Sequence, residues 1–238
     1  KQGVKGDKML MVLLYMLVMA FLIGLLAVLL FFREEIQAVK DRDPAAKSIL
    51  EVVLLYPGLH ALIAYRITHM LWTFKIPFFP RAISQMIRFF TGIEIHPGAK
   101  IGKSLFIDHG MGVVIGETAV VGDNVTLYQG VTLGGTGKET GKRHPTLGDN
   151  IVVGAGAKVL GNIEIGGNSY IGANAVVLKS FPANTTIVGV PGHITKQDGE
   201  KLDRKLDHAQ TLDPVMQHMA DLARRVHALE HKTGKGET

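Results

Sequence analysis

The sequence of 238 residues contains no cysteine, so disulfide bonds and thiolate metal sites are excluded and nothing indicates an oxidising compartment. Proline is scarce, with 9 residues against 28 glycines, a balance that favours many tight turns of the backbone. Charged residues make up 20% of the chain and hydrophobic residues 47%, which excludes an intrinsically disordered protein. We therefore predict one sizeable domain or two small ones.

Long runs of basic residues are absent as well. A net charge of +5 is compatible with nucleic acid, anionic lipid or a phosphorylated small molecule as a partner. However, no basic run exceeds two residues, and neither zinc-finger spacing nor an aromatic RNA-binding signature is present. Nucleic acid is therefore not an expected partner, and a cytosolic catalytic domain fits the composition.

Charge is also absent from residues 9–32, an apolar stretch of 24 positions. A helix of this length measures about 36 Å, enough to cross the core of a bilayer with some tilt. We predict a transmembrane or signal-anchor helix in a first segment, residues 1–32. The alternatives are a buried helix of an oligomer and an upstream extension that the cell does not use. Basic residues flank both ends, so the positive-inside rule does not choose an orientation.

Residues 33–92 have the pattern of a small helical subdomain. Good helix formers with apolar faces fill this stretch, and the pattern is interrupted at Pro44 and at Pro57-Gly58. Three or four helices are expected before Pro77 and Pro80 close the stretch.

From residue 95 to residue 190, aliphatic residues return every six positions in three phases. A period of six is the signature of a parallel β-helix, in which three short flat sides make one coil and the aliphatic residues point inward. Small residues after them, such as Gly102 and Gly122, let the chain turn without a Cβ clash. We therefore predict a β-helix domain over residues 93–192, and the family resemblance given below implies that it is the catalytic domain. The aliphatic positions are Ile95, Ile101, Ile107, Val113, Ile115, Val121, Leu127, Leu133, Leu147, Val153, Val159, Ile165, Ile171 and Val177.

Two departures interrupt the repeat. The phase shifts by two residues after Asp108-His109, and a charged insert, GTGKETGKRHPT, separates Leu133 from Leu147. A loop pushed out of a regular solenoid is where function usually lies, so these two places are the first candidates for a site.

Several motifs resemble the bacterial serine O-acetyltransferase family, and the resemblance covers about residues 33 to 192. They are GIEIHPGAKIGKSLFIDHGMGVVIGETA, YQGVTLGGTGKETGKRHPTLGDN, VVGAGAKVLGNIEIG and, upstream, DRDPAA and YPGLHALIAYRITHMLW. The resemblance implies a mainly β fold with α-helices: a left-handed parallel β-helix, preceded here by the helical subdomain and the apolar helix. It also implies a trimer, often a dimer of trimers, in which acetyl-CoA and L-serine meet between neighbouring subunits to give O-acetylserine for cysteine biosynthesis.

Acetyl transfer from a thioester to an alcohol needs a base, groups that position the alcohol, and donors for the oxyanion. By the resemblance, His109 matches the general base of the family. Glu94, fifteen residues earlier, matches the carboxylate partner of that histidine. A coil of about eighteen residues would bring both near the same edge.

The substrate-binding positions also follow from the resemblance. Arg143 and His144 in the charged insert match residues that hold the serine carboxylate, a role that suits a guanidinium group. Asp108 and Asp43 match the acids that hold the serine ammonium. For Asp43, capping of the next helix is the structural alternative.

For the co-substrate acetyl-CoA, the resemblance indicates main-chain contacts at Gly135, Ala155 and Ala173. Lys158 and Lys179 could meet its phosphates, although solvated lysines are the simpler alternative. No metal is expected, because no pair of histidines on the repeat has metal-ligand spacing.

Residues 193–238 are predicted to form a polar helical tail. Val215, Met219, Leu222, Val226 and Leu229 follow heptad spacing, which suggests a three-stranded coiled coil on a trimer axis. The chain ends in HKTGKGET, without the terminal isoleucine through which many family members bind cysteine synthase, so this partner is not expected.

Three alternatives remain at this point. A hexapeptide acetyltransferase acting on a sugar or another hydroxyl would not need Arg143, Asp43 and Asp108 to grip a carboxylate and an ammonium. A metalloprotein like γ-carbonic anhydrase would need three histidines that converge at a subunit interface, and His109 with His144 supplies only two. A membrane-anchored scaffold would show no thioester-dependent activity.

Overall fold

The computed structural model describes residues 2–137, 140–201 and 224, with side chains described from residue 9 onward. Residues 1–200 form one compact unit. Proline at the first turns of the fourth and fifth helices costs no hydrogen bond, because the N–H groups there have no partner within the helix. The helices are α1 (Gln2–Phe31), α2 (Arg33–Arg42), α3 (Ile49–Leu55), α4 (Pro57–Thr73) and α5 (Phe79–Thr91).

Three sheets of very short strands follow, and all their pairings within the repeat are parallel. Sheet A contains β1 (Glu94–Ile95), β4 (Val114–Ile115), β7 (Thr132–Gly134), β10 (Lys158–Leu160) and β13 (Val176–Val177). Sheet B contains β2 (Lys100–Ile101), β5 (Val120–Val121), β8 (Thr146–Leu147) and β11 (Glu164–Ile165). Sheet C contains β3 (Phe106–Ile107), β6 (Thr126–Leu127), β9 (Val152–Val153), β12 (Tyr170–Ile171), β14 (Thr185–Val188), β15 (His193–Gln197) and β16 (Glu200–Lys201).

The predicted parallel β-helix is confirmed by this topology. Every predicted aliphatic position is buried, in one core that runs through all the coils. Glu94 pairs with Val114, two residues beyond the eighteen that three sides of six require, and Thr132 pairs with Lys158, eight residues beyond. The two predicted departures are therefore insertions at corners, and the strands resume their register after each of them.

Glycines at the corners are required by the close approach of successive coils. A Cβ atom on Gly122 would lie 2.7 Å from the carbonyl carbon of Gly148 in the next coil, a distance that real Cβ atoms do not show. We expect Gly122→Ala to lower the free energy of unfolding by about 1–3 kcal/mol, since the core must shift to admit the methyl group. Thermal denaturation followed by circular dichroism measures the effect.

The matched control is Gly137→Ala, because a Cβ atom at Gly137 meets no atom within 4 Å. This control should change the stability by less than about 0.5 kcal/mol. Equal melting temperatures for the two variants would contradict the close-approach argument.

Helix α1 has one packed end and one exposed stretch. Leu25, Val28, Leu29 and Phe32 pack against a cluster that includes Val52 of α3. Met9–Phe31 is long and apolar enough to cross a membrane, and its most apolar part contains no buried residue. The expected apolar N-terminal helix is therefore present.

Two arginines hold the helical region on the β-helix. Arg42, the last residue of α2, donates hydrogen bonds to the Ser104 carbonyl oxygen and the Thr126 hydroxyl, both at 3.0 Å. Arg66 of α4 donates to the Ile101 carbonyl oxygen at 2.7 Å. The first of these contacts fixes the chain immediately before Asp43.

Asp43 does not cap the next helix. Helix α3 begins after Ser48, whose hydroxyl accepts a hydrogen bond from the Glu51 backbone N–H at 3.1 Å. Asp43 is instead the C-terminal cap residue of α2, five residues before Ser48. The capping alternative is therefore wrong, and the carboxylate of Asp43 is available for other contacts.

The prediction of a helical tail is wrong for its first part, which forms the strands β15 and β16. Strand β15 pairs antiparallel with β14, and a turn at Asp198-Gly199, both with positive φ, leads into β16. The last strand of the parallel stack offers unpaired backbone groups, and the β-branched Ile194 and Thr195 favour a strand there. The rest of the tail, with the heptad positions, lies outside the described residues.

Candidate functional site

The predicted site residues of the β-helix lie on two of its long edges and on sheet A between them. The His109 edge, where the chain passes from sheet C to sheet A, comprises residues 108–113, 128–131, 154–157 and 172–175. The Arg143 edge, where the chain passes from sheet A to sheet B, comprises residues 96–99, 116–119, 135–137, 140–145, 161–163 and 178–180. One face of the β-helix therefore separates the two halves of the predicted site.

His109 occupies a strained corner of the first coil. Its φ is 58°, in the left-handed region that residues with a Cβ atom rarely adopt and that clusters at functional sites. Its side chain is 74% exposed, and its Nε2 atom lies 3.9 Å from a carboxylate oxygen of Asp108. This distance is too long for a hydrogen bond, so the ring is not fixed by that carboxylate.

Glu94 does not form the expected hydrogen-bonded pair with His109. Its carboxylate lies 3.0 Å from Arg88 and 3.5 Å from Arg81, and it accepts a hydrogen bond from Gln85 at 3.1 Å. Two guanidinium groups from α5 attract a carboxylate more strongly than one imidazole does, and the long glutamate side chain reaches them. In the described chain this carboxylate therefore faces α5.

Asp43 and Asp108 both act on the Tyr56 phenol, although 65 positions separate them in the sequence. The Tyr56 hydroxyl donates a hydrogen bond to Asp43 Oδ2 at 2.6 Å, and the Ala45 backbone N–H donates to Asp43 Oδ1 at 2.7 Å. Burial raises the pKa of Tyr56 to about 12, with further contributions from the hydrogen bond to Asp43 and from the charges of Asp43, Glu51 and Asp108. Both predicted acids therefore lie within electrostatic reach of one phenol.

On the Arg143 edge, the insert is tied back to the corner after β4. Arg143 forms an ion pair with Glu117, and its backbone N–H donates to the Thr118 hydroxyl at 3.0 Å. The hydrogen bond from Arg143 holds the pKa of Glu117 below its usual value. The guanidinium group is therefore held at the surface beside the buried ring of His144.

His144 is a neutral donor at this edge. Its Nδ1 atom accepts a hydrogen bond from the Thr118 backbone N–H at 3.2 Å, which leaves the proton on Nε2. Burial first, and then the charge of Arg143, lower the pKa of His144. A guanidinium group next to a neutral N–H donor is a combination that suits a carboxylate.

The small residues predicted to contact acetyl-CoA divide between the two edges. Ala155 and Ala173 stack on the His109 edge, where the Asn174 N–H donates to the Ala155 carbonyl oxygen at 2.8 Å. Successive coils are about 4.8 Å apart, so Ala173 lies three coils, or about 14 Å, along the edge from His109. Gly135 lies on the other edge, where an added Cβ atom would be 3.2 Å from the Arg143 carbonyl oxygen.

The two predicted lysines have partners within the chain. The Lys158 ammonium group donates to the Gly130 carbonyl oxygen on the His109 edge. The Lys179 ammonium group lies 5.6 Å from the centre of the Phe181 ring. Lys158 is therefore held partly buried against the coil, whereas Lys179 is exposed.

Sequence reasoning missed Tyr56, Glu117 and Thr118, which hold the predicted site residues. A signal existed for Glu117-Thr118, because a charged residue and a hydroxyl residue stand between Gly116 and Ala119 at a corner of the repeat. For Tyr56, the only signal was a tyrosine before Pro57-Gly58, the break between two helices.

Across the ranges that the structure describes, no three histidine, aspartate or glutamate side chains form a group that could hold a metal ion. His109 and His144, the two histidines of the carbonic-anhydrase-like alternative, lie on different edges of the chain. Together they do not form one metal centre within a single chain.

Comparisons with known proteins point to one family. The model of the serine acetyltransferase N-terminal domain matches residues 4–64, and that of the bacterial transferase hexapeptide matches residues 144–179. A serine acetyltransferase of Staphylococcus aureus is 59% identical over 205 residues, which are 86% of this chain and 94% of that protein.

Solved structures agree with these matches. A serine O-acetyltransferase from Brucella melitensis superposes with a TM-score of 0.67 at 44% identity, covering 70% of this chain and 66% of that one. A soybean serine acetyltransferase complexed with serine has a TM-score of 0.66 at 45% identity, covering 68% and 66% of the two chains. The alignment thus spans about two thirds of each solved chain. The repeat, the two edges and these similarities lead to one conclusion, that this chain belongs to the serine acetyltransferase family.

Proposed function

We propose that this chain transfers the acetyl group of acetyl-CoA to the hydroxyl group of L-serine, giving O-acetylserine and CoA for cysteine biosynthesis. The observation that carries the proposal is an exposed His109 next to Asp108 at a break in the repeat, with Asp43 bonded to the Tyr56 phenol on which the charge of Asp108 also acts. A base beside a cation-binding pair suits an acceptor that carries a hydroxyl group and an ammonium group.

In the proposed reaction, His109 accepts the proton of the serine hydroxyl as its oxygen attacks the thioester carbonyl carbon. The new C–O bond forms, the C–S bond breaks, and the imidazolium returns its proton to the departing thiolate. Asp43 and Asp108 hold the serine ammonium. Because His109 is not fixed by Asp108 in the free chain, the bound substrate is expected to complete its orientation.

The carboxylate of serine is assigned to Arg143 and His144. These residues lie on the Arg143 edge, across sheet A from His109, so a small amino acid cannot touch both edges of one chain. We therefore propose that the Arg143 edge of a neighbouring subunit faces the His109 edge, as cyclic symmetry in a trimer would arrange. A trimer, alone or paired into a dimer of trimers, satisfies this requirement.

Acetyl-CoA is proposed to lie along the His109 edge. Ala155 and Ala173 offer little side-chain bulk there, and the distance of about 14 Å from His109 to Ala173 is of the order of a pantetheine arm. Gly135 would border the same cleft from the neighbouring subunit, next to its Arg143. Lys158 and Lys179 would have to exchange their contacts within the chain for the phosphates, so they are proposed as secondary contacts. Glu94 would support His109 if its side chain turned away from α5 and toward the imidazole ring.

The direct test is release of free thiol from acetyl-CoA on addition of L-serine to the purified full-length chain. Sugars and other hydroxy compounds serve as competing acceptors. Thiol release that requires serine supports the proposal. Release with a sugar but not with serine would keep the acetyltransferase and reject the substrate, and no release with any acceptor would favour a scaffold.

We further propose that residues 9–32 anchor the enzyme to the membrane and leave the catalytic region in the cytoplasm, where acetyl-CoA is available. The exposed apolar stretch Met9–Phe31 supports this, because its burial in lipid removes a large apolar surface from water. The full-length chain is expected in the membrane fraction after an alkaline carbonate wash. Leu17→Arg with Leu22→Arg should move it to the soluble fraction, since each charge costs about 2.5–3.5 kcal/mol at the centre of a bilayer.

The control for this experiment is Leu178→Arg, at an exposed leucine of the β-helix. Its distribution between fractions should equal that of the wild type. Recovery of the wild-type chain in the soluble fraction as a defined oligomer would show instead that α1 is covered by protein.

A further inference from the structure

Tyr56 stands at the junction of two helices, directly beside the proposed ammonium site. It ends α3 and precedes α4, with an extended backbone at φ −88° and ψ 107°. A Cβ atom on Gly58 would overlap the carbonyl oxygen of Ile107, so the glycine lets α4 approach β3 very closely. Because Asp108 follows Ile107, this contact places Tyr56 next to that acid.

The hydroxyl group of Tyr56 has one partner, the Asp43 carboxylate, at 2.6 Å. The second oxygen of Asp43 accepts the Ala45 N–H, so each oxygen receives one neutral donor and keeps a lone pair for another. The raised pKa of Tyr56, about 12, means that the phenol stays protonated at physiological pH. Tyr56 is therefore a permanent donor to Asp43.

Ring packing alone does not explain this arrangement. The Tyr56 ring packs against the cluster that includes Val52 and Phe106, and a phenylalanine would do the same. The hydroxyl group adds a directional bond to one of two neighbouring acids. Asp43 and Asp108 repel each other when both are ionised, so an unsupported Asp43 side chain would turn away from Asp108.

The backbone at Asp43 is fixed as well. Arg42 donates to Ser104 and Thr126 of the β-helix, which holds the end of α2 in place. Arg42 therefore fixes where the Asp43 backbone lies, and Tyr56 fixes where its carboxylate points. Two independent contacts of this kind pre-organise a group that must meet a small ligand.

We propose that Tyr56 is a positioning residue whose hydroxyl group holds the Asp43 carboxylate toward the ammonium group of the acceptor. Tyr56 thereby selects acceptors with an α-amino group. The inference rests on the proposed function, since it assigns a selectivity element to the same site. It predicts that loss of the hydroxyl affects binding of an acceptor only where that acceptor carries an ammonium group.

The test is Tyr56→Phe, which keeps the ring and removes one oxygen. The KM for L-serine should rise about tenfold, because a hydrogen bond to a charged group is lost, whereas kcat and the KM for acetyl-CoA stay within about twofold. The decisive readout is the ratio of kcat/KM for L-serine to that for 3-hydroxypropanoate, which is serine without its amino group. This ratio should fall about tenfold, since only serine uses Asp43.

Three further variants separate positioning from a general structural role. Tyr170→Phe, at an exposed tyrosine of β12, is the matched control and should leave all constants unchanged. The single variant Asp43→Asn and the double variant Asp43→Asn/Tyr56→Phe should lose the same fraction of kcat/KM for L-serine, because Tyr56 acts through Asp43. Additive losses, an unchanged KM for serine, or an equal loss for both acceptors would overturn the inference.

Calorimetric titration with L-serine distinguishes failure of this inference from failure of the proposed function. Wild-type protein that binds serine without releasing thiol would reject the proposed reaction, while weaker serine binding by Tyr56→Phe would still support the role of Tyr56. Active wild-type enzyme with equal serine affinity in both proteins would reject the role of Tyr56 alone. Wild-type protein that does not bind serine would reject both.

Discussion

The His109→Asn variant is expected to lose about 10²- to 10⁴-fold in kcat/KM for serine acetylation, the contribution that a positioned general base makes. Asparagine is the appropriate substitution because His109 has a φ of 58°, a left-handed conformation that asparagine tolerates and alanine does not. The backbone of the corner is therefore expected to survive. Thiol release at saturating acetyl-CoA measures the loss, and a loss mainly in kcat would assign it to the chemical step.

Thermal denaturation provides the control for this variant. His109 is exposed, so His109→Asn should melt within a few degrees of the wild type. Retained activity would mean that another group accepts the proton of the serine hydroxyl and that His109 is only a strained corner residue.

Glu94→Gln tests the partner of His109. A lower kcat with unchanged stability would indicate that Glu94 supports His109 during turnover. A lower melting temperature with unchanged kcat would assign Glu94 only to its ion pairs with Arg81 and Arg88.

The architecture was predictable because a β-helix is a local structure repeated many times. Each six-residue unit buries one aliphatic side chain, so the core residues can be predicted directly from the sequence. The predicted aliphatic positions from Ile95 to Val177 are all buried. The two insertions were visible as phase shifts at Asp108-His109 and before Leu147. Local periodicity thus predicted the fold and the corners at which the proposed site lies.

Contacts between the helices and the β-helix were not predictable in the same way. Glu94 pairs with α5, and Asp43 is held by Tyr56, because these contacts depend on how helices pack on the repeat. From residue 193 the chain forms a strand and not the predicted helix, because it pairs with the otherwise unpaired edge of β14, which is a tertiary contact. The spacing of residues along one chain therefore did not show which acids converge.

The largest gain of activity is expected from mixing two inactive variants. His109→Asn removes the proposed base and leaves the Arg143 edge intact, whereas Arg143→Met does the reverse. In mixed trimers, a site is intact where the His109 edge of one subunit meets the Arg143 edge of another and each has its native residue. For random mixing in equal amounts, about one quarter of the sites satisfies this condition in a cyclic trimer.

Co-expression with two different affinity tags allows the mixed species to be purified and assayed for serine-dependent thiol release. Activity should rise from near zero in each parent to about one third of the wild-type value, because every mixed cyclic trimer has one intact site in three once the homotrimers are removed. The control is His109→Asn mixed with the double variant His109→Asn/Arg143→Met, which contains no intact His109 edge and should stay inactive. Failure of the first mixture, with mixed trimers demonstrated by both tags, would place the base and the guanidinium in one chain. Such a result would be hard to reconcile with the face of sheet A that separates the two edges, so the experiment tests the proposed assembly and the residue assignments together.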